Sequence, residues 1–167
     1  MASGTSNQLI KQVGEYRVAA ELARRGLFAS TFSGNIPYYD IVASHPQGGH
    51  VPVQVKSKAR GSWQLNIGHY AEVTFDGEIQ HIGKAQPPPT RGLVYVFVDM
   101  GLDCEDQFYV IDWDSLCILL IEAHRAYLAK HGGRRPKNPT SVHTAVGAKQ
   151  LAAYRDRWEI ITDSITA

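Results

Sequence analysis

Three side chains near the start of the sequence are of types that bind a divalent cation, and a fourth is a lysine that could act beside that cation. They are Glu15, Asp40, Gln54 and Lys56. Gln54 and Lys56 lie two apart in an alternating segment, so a strand would place both on one face. Carboxylate and amide oxygens, together with a strand carbonyl, are the hard ligands that Mg²⁺ binds alongside waters and phosphate oxygens. A lysine next to such an ion can hold or deprotonate a water and offset charge on a phosphate.

The first of these residues lies in a segment with helical periodicity. Thr5 or Ser6 is predicted to cap the helix, and Gly26 is predicted to end it. The helix must bury its apolar face against a sheet, so we expect Glu15 to lie near that sheet. The apolar residues that recur at spacings of three and four, and that predict this buried face, are Leu9, Val13, Tyr16, Ala20 and Ala23.

The other three residues lie in strand-like segments. Strands are predicted over 27–32, 39–44 and 51–58, separated by turn signals at 33–35 and 45–49. Asp40 opens the second strand, whereas Gln54 and Lys56 lie on the third. The turn between these strands is short, so we expect a hairpin that brings Asp40 close to Gln54 and Lys56.

The remaining two thirds of the chain complete an α/β pattern. Residues 59–91 are mixed and end in three consecutive prolines. The order of elements predicts a single α/β domain over residues 1–167, with a mixed central sheet flanked by helices. The predicted elements are strands at 93–98 and 108–111, a helix at 115–130 capped by Asp112 or Asp114, a polar loop at 132–140, a helix at 149–155 and a strand around Ile160.

Three motifs of the N-terminal part resemble those of the PD-(D/E)xK nuclease superfamily, which has the restriction-endonuclease-like fold. Residues 14–26 are similar to its first-helix motif, a Gly-Glu followed by apolar positions and a closing Gly. Residues 37–42 resemble its second motif, in which an acid starts a strand. Residues 53–56 match the third motif in a variant with Gln in place of the second acid, which is similar to intron-encoded homing endonucleases and to uncharacterised bacterial relatives.

The resemblance implies a role for each of these residues. Asp40 would be the central metal ligand, Gln54 would supply an amide oxygen and Val55 a carbonyl oxygen, and Lys56 would be the catalytic cation. Glu15 would bind the metal through water or hold a second ion. The implied protein is a Mg²⁺-dependent DNA endonuclease, with Mn²⁺ as a substitute. Since an amide carries no negative charge, Gln54 leaves the metal more dependent on Asp40 and Glu15.

The cations of the chain suggest where a nucleic acid would be bound. Lys58 and Arg60 follow the third strand, and Arg134, Arg135 and Lys137 lie in a glycine-containing loop suited to a phosphate backbone. The expected partner is duplex or branched DNA. Cutting both strands requires two active sites, so a homodimer or a higher symmetric oligomer is expected. Both groups of cations also fit a solvated surface without a partner.

Composition excludes several other classes of protein. The chain has 167 residues, 44% hydrophobic and 20% charged, with a net charge of +1, as is typical of one globular domain. The longest apolar run, residues 116–121, is too short to span a membrane, and no signal peptide is recognisable, so a cytoplasmic protein is expected. Cys104 and Cys117 fit no disulfide or zinc pattern and are interpreted as reduced thiols. The sequence contains no HExxH, P-loop, GxSxG or GxGxxG motif.

Other interpretations of the same residues remain open. Glu15 also fits the surface of an amphipathic helix, Asp40 a turn, and Gln54 with Lys56 the solvent face of a strand. The principal rival is a catalytically inactive module of the same fold that binds DNA or a protein partner. The neutral Gln54 and the small net charge favour it. A weaker possibility is a structural subunit that docks through the acidic segment 99–114.

Overall fold

A five-stranded mixed sheet forms the centre of the structure, a computed structural model that describes residues 4–32, 36–101 and 105–166. The strand order is β1-β2-β3-β7-β8, in which β3 and β7 are parallel and the other neighbours antiparallel. The elements are α1 (Gly4–Arg24), β1 (Phe28–Thr31), β2 (Ile41–Ser44), β3 (His50–Lys58), β4 (Trp63–Asn66), β5 (Ala71–Asp76), β6 (Ile79–Ala85), β7 (Val94–Asp99), β8 (Gln107–Asp112), α2 (Trp113–Lys130), β9 (His143–Val146) and α3 (Glu159–Thr166).

The two faces of the central sheet carry different elements. Helices α1 and α3 cover one face, where the valines of β3 and β7 pack against Val18, Leu22 and Ile161. Helix α2 covers the other face together with two small antiparallel sheets, β4–β9 and β5–β6. The predicted mixed sheet flanked by helices is therefore confirmed. Among the described residues, no helix has both the length and the apolar character needed to cross a membrane.

Helix α1 buries a different face from the predicted one. Leu9, Val13 and Tyr16 are exposed, and the face against the sheet consists of Gly14, Val18 and Leu22. The cause is the close approach that Gly14 permits, since a Cβ atom there would lie 2.0 Å from Ser57 Oγ. Glu15 is half-buried at the margin of this face, so it lies near the sheet as expected.

The C-terminal part also departs from the prediction. The expected helix at 149–155 contains only the short 3₁₀ turn Ala152–Tyr154, because Arg155 and Asp156 bond to β8 instead of continuing a helix. The expected strand around Ile160 is helix α3. Trp158, directly before the helix, and Ile161 and Ile165 within it are buried at helical spacing, which outweighs the β-propensity of the Ile-Ile-Thr run.

Most other predicted elements are confirmed to within one or two residues at their ends. Asp112, one of two proposed caps, caps α2, and its Oδ1 accepts a hydrogen bond from Ser115 N at 2.8 Å. The mixed segment 59–91 contains β4, β5 and β6, none of which was predicted. Cys117 is a buried free thiol. The predicted turn at 33–35, Cys104, and the capping side chains of Thr5 and Ser6 lie outside the described residues.

Candidate active site

The β2–β3 hairpin brings Asp40 to the middle of β3, as predicted. Asp40 immediately precedes β2, and its backbone N–H donates to Val53 O at 2.9 Å. Its side-chain Oδ2 accepts from Val55 N at 2.9 Å and from the Gln54 amide. These bonds hold a mostly buried carboxylate, with 9% of its side chain exposed, beside the backbone that carries Gln54 and Lys56.

Helix α1 adds a second carboxylate and a cation. Lys11 Nζ lies 3.2 Å from Asp40 Oδ1 and 3.5 Å from a carboxylate oxygen of Glu15. One ammonium group therefore bridges two carboxylates that come from different elements. The sequence interpretation missed Lys11. Its position four residues before Glu15 would have identified it as a partner of that side chain.

The protonation equilibria of the site reflect burial and crowded charge. Burial raises the pKa of Glu15, and the neighbouring Asp40 carboxylate raises it further, while Lys11 acts in the opposite direction. Burial lowers the pKa of Lys56, and the attraction of Asp40 does not fully compensate. Burial also tends to lower the pKa of Lys11, but the carboxylates of Asp40 and Glu15 raise it overall. Burial thus shifts Lys56 toward its neutral form, whereas the two carboxylates favour the charged form of Lys11.

The donor set fits a magnesium-type ion. Glu15 and Asp40 would offer carboxylate oxygens, Val55 a carbonyl oxygen, and Gln54 an amide oxygen once a half-turn of its amide group presents Oε1 in place of Nε2. Lys11 already occupies a cation position between the two carboxylates. No group of three or more His, Cys, Asp or Glu side chains arranged for a metal occurs within the described parts of the chain. Mg²⁺ is compatible with that finding because it commonly uses one or two protein carboxylates and keeps several waters.

Two hollows adjoin the site. The smaller, about 250 Å³, lies on the α1 side and is lined by Lys11, Glu15 and Asp40 among others. The larger, about 470 Å³, lies on the opposite side of β3 and contains Gln54 and Lys56 in its wall, next to several aromatic rings. The two predicted β3 side chains therefore share one face, and that face opens into a cavity. Sequence reasoning did not indicate this cavity, because the residues that complete its walls lie far from Gln54 and Lys56 in the sequence.

The cations predicted to contact nucleic acid are in different environments. Lys58 Nζ lies 2.5 Å from Asp99 Oδ2 and 4.5 Å from the ring centre of Trp63, which is part of the core. Arg134 pairs with Glu78, and Arg135 donates to the carbonyl of His143 and lies over the ring of Tyr127. The exposed cations of this set are Arg60, Arg134 and Lys137. DNA binding by any of these residues remains a prediction.

Comparison with known proteins identifies a related fold. No family model matches the sequence, and no similar curated protein was found. The structure is similar to that of a bacterial homing endonuclease, I-Ssp6803I, with a TM-score of 0.51. The similarity covers 93% of this chain and 92% of that chain at 16% sequence identity. At this identity the similarity establishes a fold of the homing-endonuclease type, and the activity has to be argued from the site.

Proposed function

We propose that this protein is a metal-dependent endonuclease that hydrolyses phosphodiester bonds of DNA. The observation that carries the proposal is the position of Asp40. It joins the Glu15 carboxylate, through Lys11, to the strand that bears Gln54 and Lys56. The similarity of the fold to a homing endonuclease supports it. Residues 1–167 would form one domain with one active site.

Asp40 and Glu15 would hold the metal, with Val55 O and the Gln54 amide oxygen completing the protein ligands. A divalent cation bound there would supply charge stabilisation and activation of water. The hydrogen bond from Val55 N fixes Asp40 Oδ2 on the strand, which leaves Oδ1 directed toward the α1 side. The protein thus orients the carboxylate before any ligand binds, and this preorganisation lowers the cost of binding.

Lys56 would act on the attacking water. Because burial lowers its pKa, the amine can accept the proton that the water loses as its oxygen attacks phosphorus. The bond from phosphorus to the leaving sugar oxygen breaks, and that oxygen takes a proton from solvent. Once protonated, Lys56 carries a positive charge next to the phosphate and offsets the negative charge that develops there.

Cleavage of plasmid and branched DNA in Mg²⁺ or Mn²⁺ tests the proposal. We expect cutting by the wild-type protein and none by Asp40→Ala or Lys56→Ala. Matched controls are Asp76→Ala and Lys84→Ala, which remove an exposed acid and an exposed cation of the β5–β6 hairpin and should cut normally. Retained cutting by Asp40→Ala would refute the site. Linear rather than nicked plasmid as the first product would support an oligomer with two active sites.

The second candidate function is a catalytically inactive module of the same fold that binds DNA or a protein partner. Two observations favour it. Gln54 contributes no charge to the site, and Lys11 already pairs with both carboxylates. Calorimetric titration with Mg²⁺ or Mn²⁺ separates the two candidates, because a binding module should show no saturable metal site that is lost in Asp40→Ala.

A further inference from the structure

The cavity of about 470 Å³ beside the proposed active site has an aromatic lining. Gln54 and Lys56 form the part of its wall that belongs to the site. Tyr70, Tyr95 and Trp113 lie deeper and are buried, with 3%, 6% and 5% of their surfaces exposed. Prolines 87 and 89 add apolar surface at the rim. The cavity thus joins the polar side chains of Gln54 and Lys56 to a wall of aromatic rings.

Two exposed rings stand at the opening of this cavity. His69 is exposed at the end of a 3₁₀ turn, and 59% of the surface of Tyr38 is accessible to solvent. Tyr38 has a backbone φ of 79°, a left-handed conformation that a tyrosine rarely adopts. Such a conformation persists only where the surroundings impose it, and it is typical of functional sites. Here it holds a large ring in solvent two residues before Asp40.

The inner wall also offers hydrogen-bonding groups. The hydroxyl groups of Tyr70 and Tyr95 lie 3.3 Å apart and share a hydrogen bond. Burial raises the pKa of both, so each remains protonated; Tyr70 donates its proton to Tyr95, which leaves the Tyr95 hydroxyl as a donor and both oxygens as acceptors. Trp113 Nε1 donates to Gln86 O at 2.9 Å, so its indole contributes an apolar surface. Flat faces combined with donors and acceptors are what a nucleobase requires, since bases are read by stacking and by hydrogen bonds to their edges.

We propose that this cavity binds the base of an unpaired nucleotide adjoining the phosphate that is cleaved. The inference rests on the proposed nuclease function and specifies its substrate class: DNA with an unpaired nucleotide at the cleavage point, as in a fork, flap or bulge. The volume lies in the range of roughly 300–1,000 Å³ that is typical of sites for small molecules. One base fits such a site, whereas a paired base remains in the stack of its duplex and would have to be extruded first.

Continuity with the catalytic residues identifies the occupant. Because Lys56 lines the cavity, a phosphate in contact with Lys56 has its own nucleotide at the opening. Tyr38 is then placed to stack on that base as it enters. An unpaired base does not pay the cost of leaving a duplex, so DNA with an unpaired base is favoured over fully paired DNA of the same sequence.

The test measures DNA binding and DNA cleavage separately. Fluorescence anisotropy in Ca²⁺ compares a fully paired duplex with the same duplex carrying one unpaired nucleotide, and cleavage of both is then followed in Mg²⁺. The proteins are wild type, Tyr38→Ala, Tyr38→Phe and Phe28→Ala. Phe28 is a matched control because it is an exposed aromatic residue on β1, and 65% of its surface is accessible. Circular dichroism checks that each variant is folded.

We expect the wild type to bind the DNA with the unpaired nucleotide at least fivefold more tightly. Tyr38→Ala should lose that preference, whereas Tyr38→Phe, which keeps the ring, and Phe28→Ala should retain it. Equal affinity for both DNAs, or a preference that survives in Tyr38→Ala, overturns the inference. If both DNAs are nevertheless cut, the proposal of a nuclease stands and only the base-binding role of the cavity is refuted. A preference that depends on Tyr38 in a protein that cuts neither DNA supports the base-binding cavity and refutes the nuclease.

Discussion

Replacement of Lys11 by Met tests whether the Lys11 ammonium occupies the position of a metal. Lys11 Nζ lies 3.2 Å from Asp40 Oδ1, a separation at which Coulomb's law gives about 1.3 kcal/mol in water and about 5 kcal/mol at an effective dielectric constant near 20. The lower value applies because 53% of the Lys11 side chain is exposed. Met keeps the length and the apolar stem of the side chain, so the substitution removes chiefly the charge.

Without metal, Lys11→Met should therefore lower the stability of the protein, whereas with metal it should raise the affinity for the ion. In a chelator, Glu15 and Asp40 lose their shared cation, and the free energy of unfolding should fall by about 1 kcal/mol, which corresponds to a decrease in Tm of roughly 2–4 °C. In Mn²⁺ the competing charge is gone, so the affinity for the ion should rise about fivefold, the equivalent of ~1 kcal/mol. Calorimetric titration with Mn²⁺ and thermal unfolding in chelator and in Mn²⁺ measure the two effects.

Lys84→Met is the matched control for this experiment. Lys84 pairs with Glu72 at 3.6 Å on the β5–β6 hairpin, and 81% of its side chain is exposed. Its replacement should therefore change neither the free energy of unfolding nor the affinity for Mn²⁺. A Lys11→Met protein that binds Mn²⁺ more weakly than the wild type would refute the reasoning. That result would mean that Lys11 supports the bound state rather than competing with the ion.

Three further predictions concern the packing of α1, the buried His124 and two exposed cations. Gly14→Ala places a Cβ 2.0 Å from Ser57 Oγ and should destabilise the protein by about 1–3 kcal/mol in urea unfolding and weaken Mn²⁺ binding, because α1 carries Glu15. Burial lowers the pKa of His124, and Arg135 and His143 contribute smaller effects in the same direction. In acid the unfolded state therefore binds more protons than the folded state. Stability should therefore decrease as the pH falls below about 6.5, and thermal melts of His124→Gln should lack that part of the decrease. Arg60→Ala and Lys137→Ala should each reduce the slope of log K for DNA against log salt by about 1, and an unchanged slope would exclude a phosphate contact.

The sequence predicts the β2–β3 part of the site because the relevant signals there are local. Alternation of valines with polar residues places Gln54 and Lys56 on one face, and a short turn makes the pairing of β2 with β3 unambiguous. Asp40 follows from that register, since it comes directly before β2. Local periodicity and turn length together are sufficient to bring these three residues close to one another.

The arrangement of α1 is not predictable from the same kind of signal. Its more hydrophobic stripe, with Leu9 and Tyr16, is exposed, and the buried face begins with a glycine. Periodicity weighs hydrophobic residues and gives no weight to Gly14, although a missing side chain is what allows the helix to approach Ser57. The error also hid Lys11, because its role depends on which face of α1 turns toward Asp40. Close approach between two elements is a tertiary property that neither segment shows on its own.

Asp40 connects the two faces of the central sheet, and this links the proposed metal site to the proposed base cavity. Its Oδ1 is directed toward Lys11 on the α1 side, while its Oδ2 accepts from Val55 N on β3. Lys56 lies in the wall of the cavity on the opposite face. A phosphate that approaches both a cation held by Asp40 and the amine of Lys56 has to lie between the two hollows. The nucleotide attached to that phosphate would then face the aromatic cavity, so the proposed recognition of an unpaired base and the proposed hydrolysis at its phosphate would require the same position of the DNA.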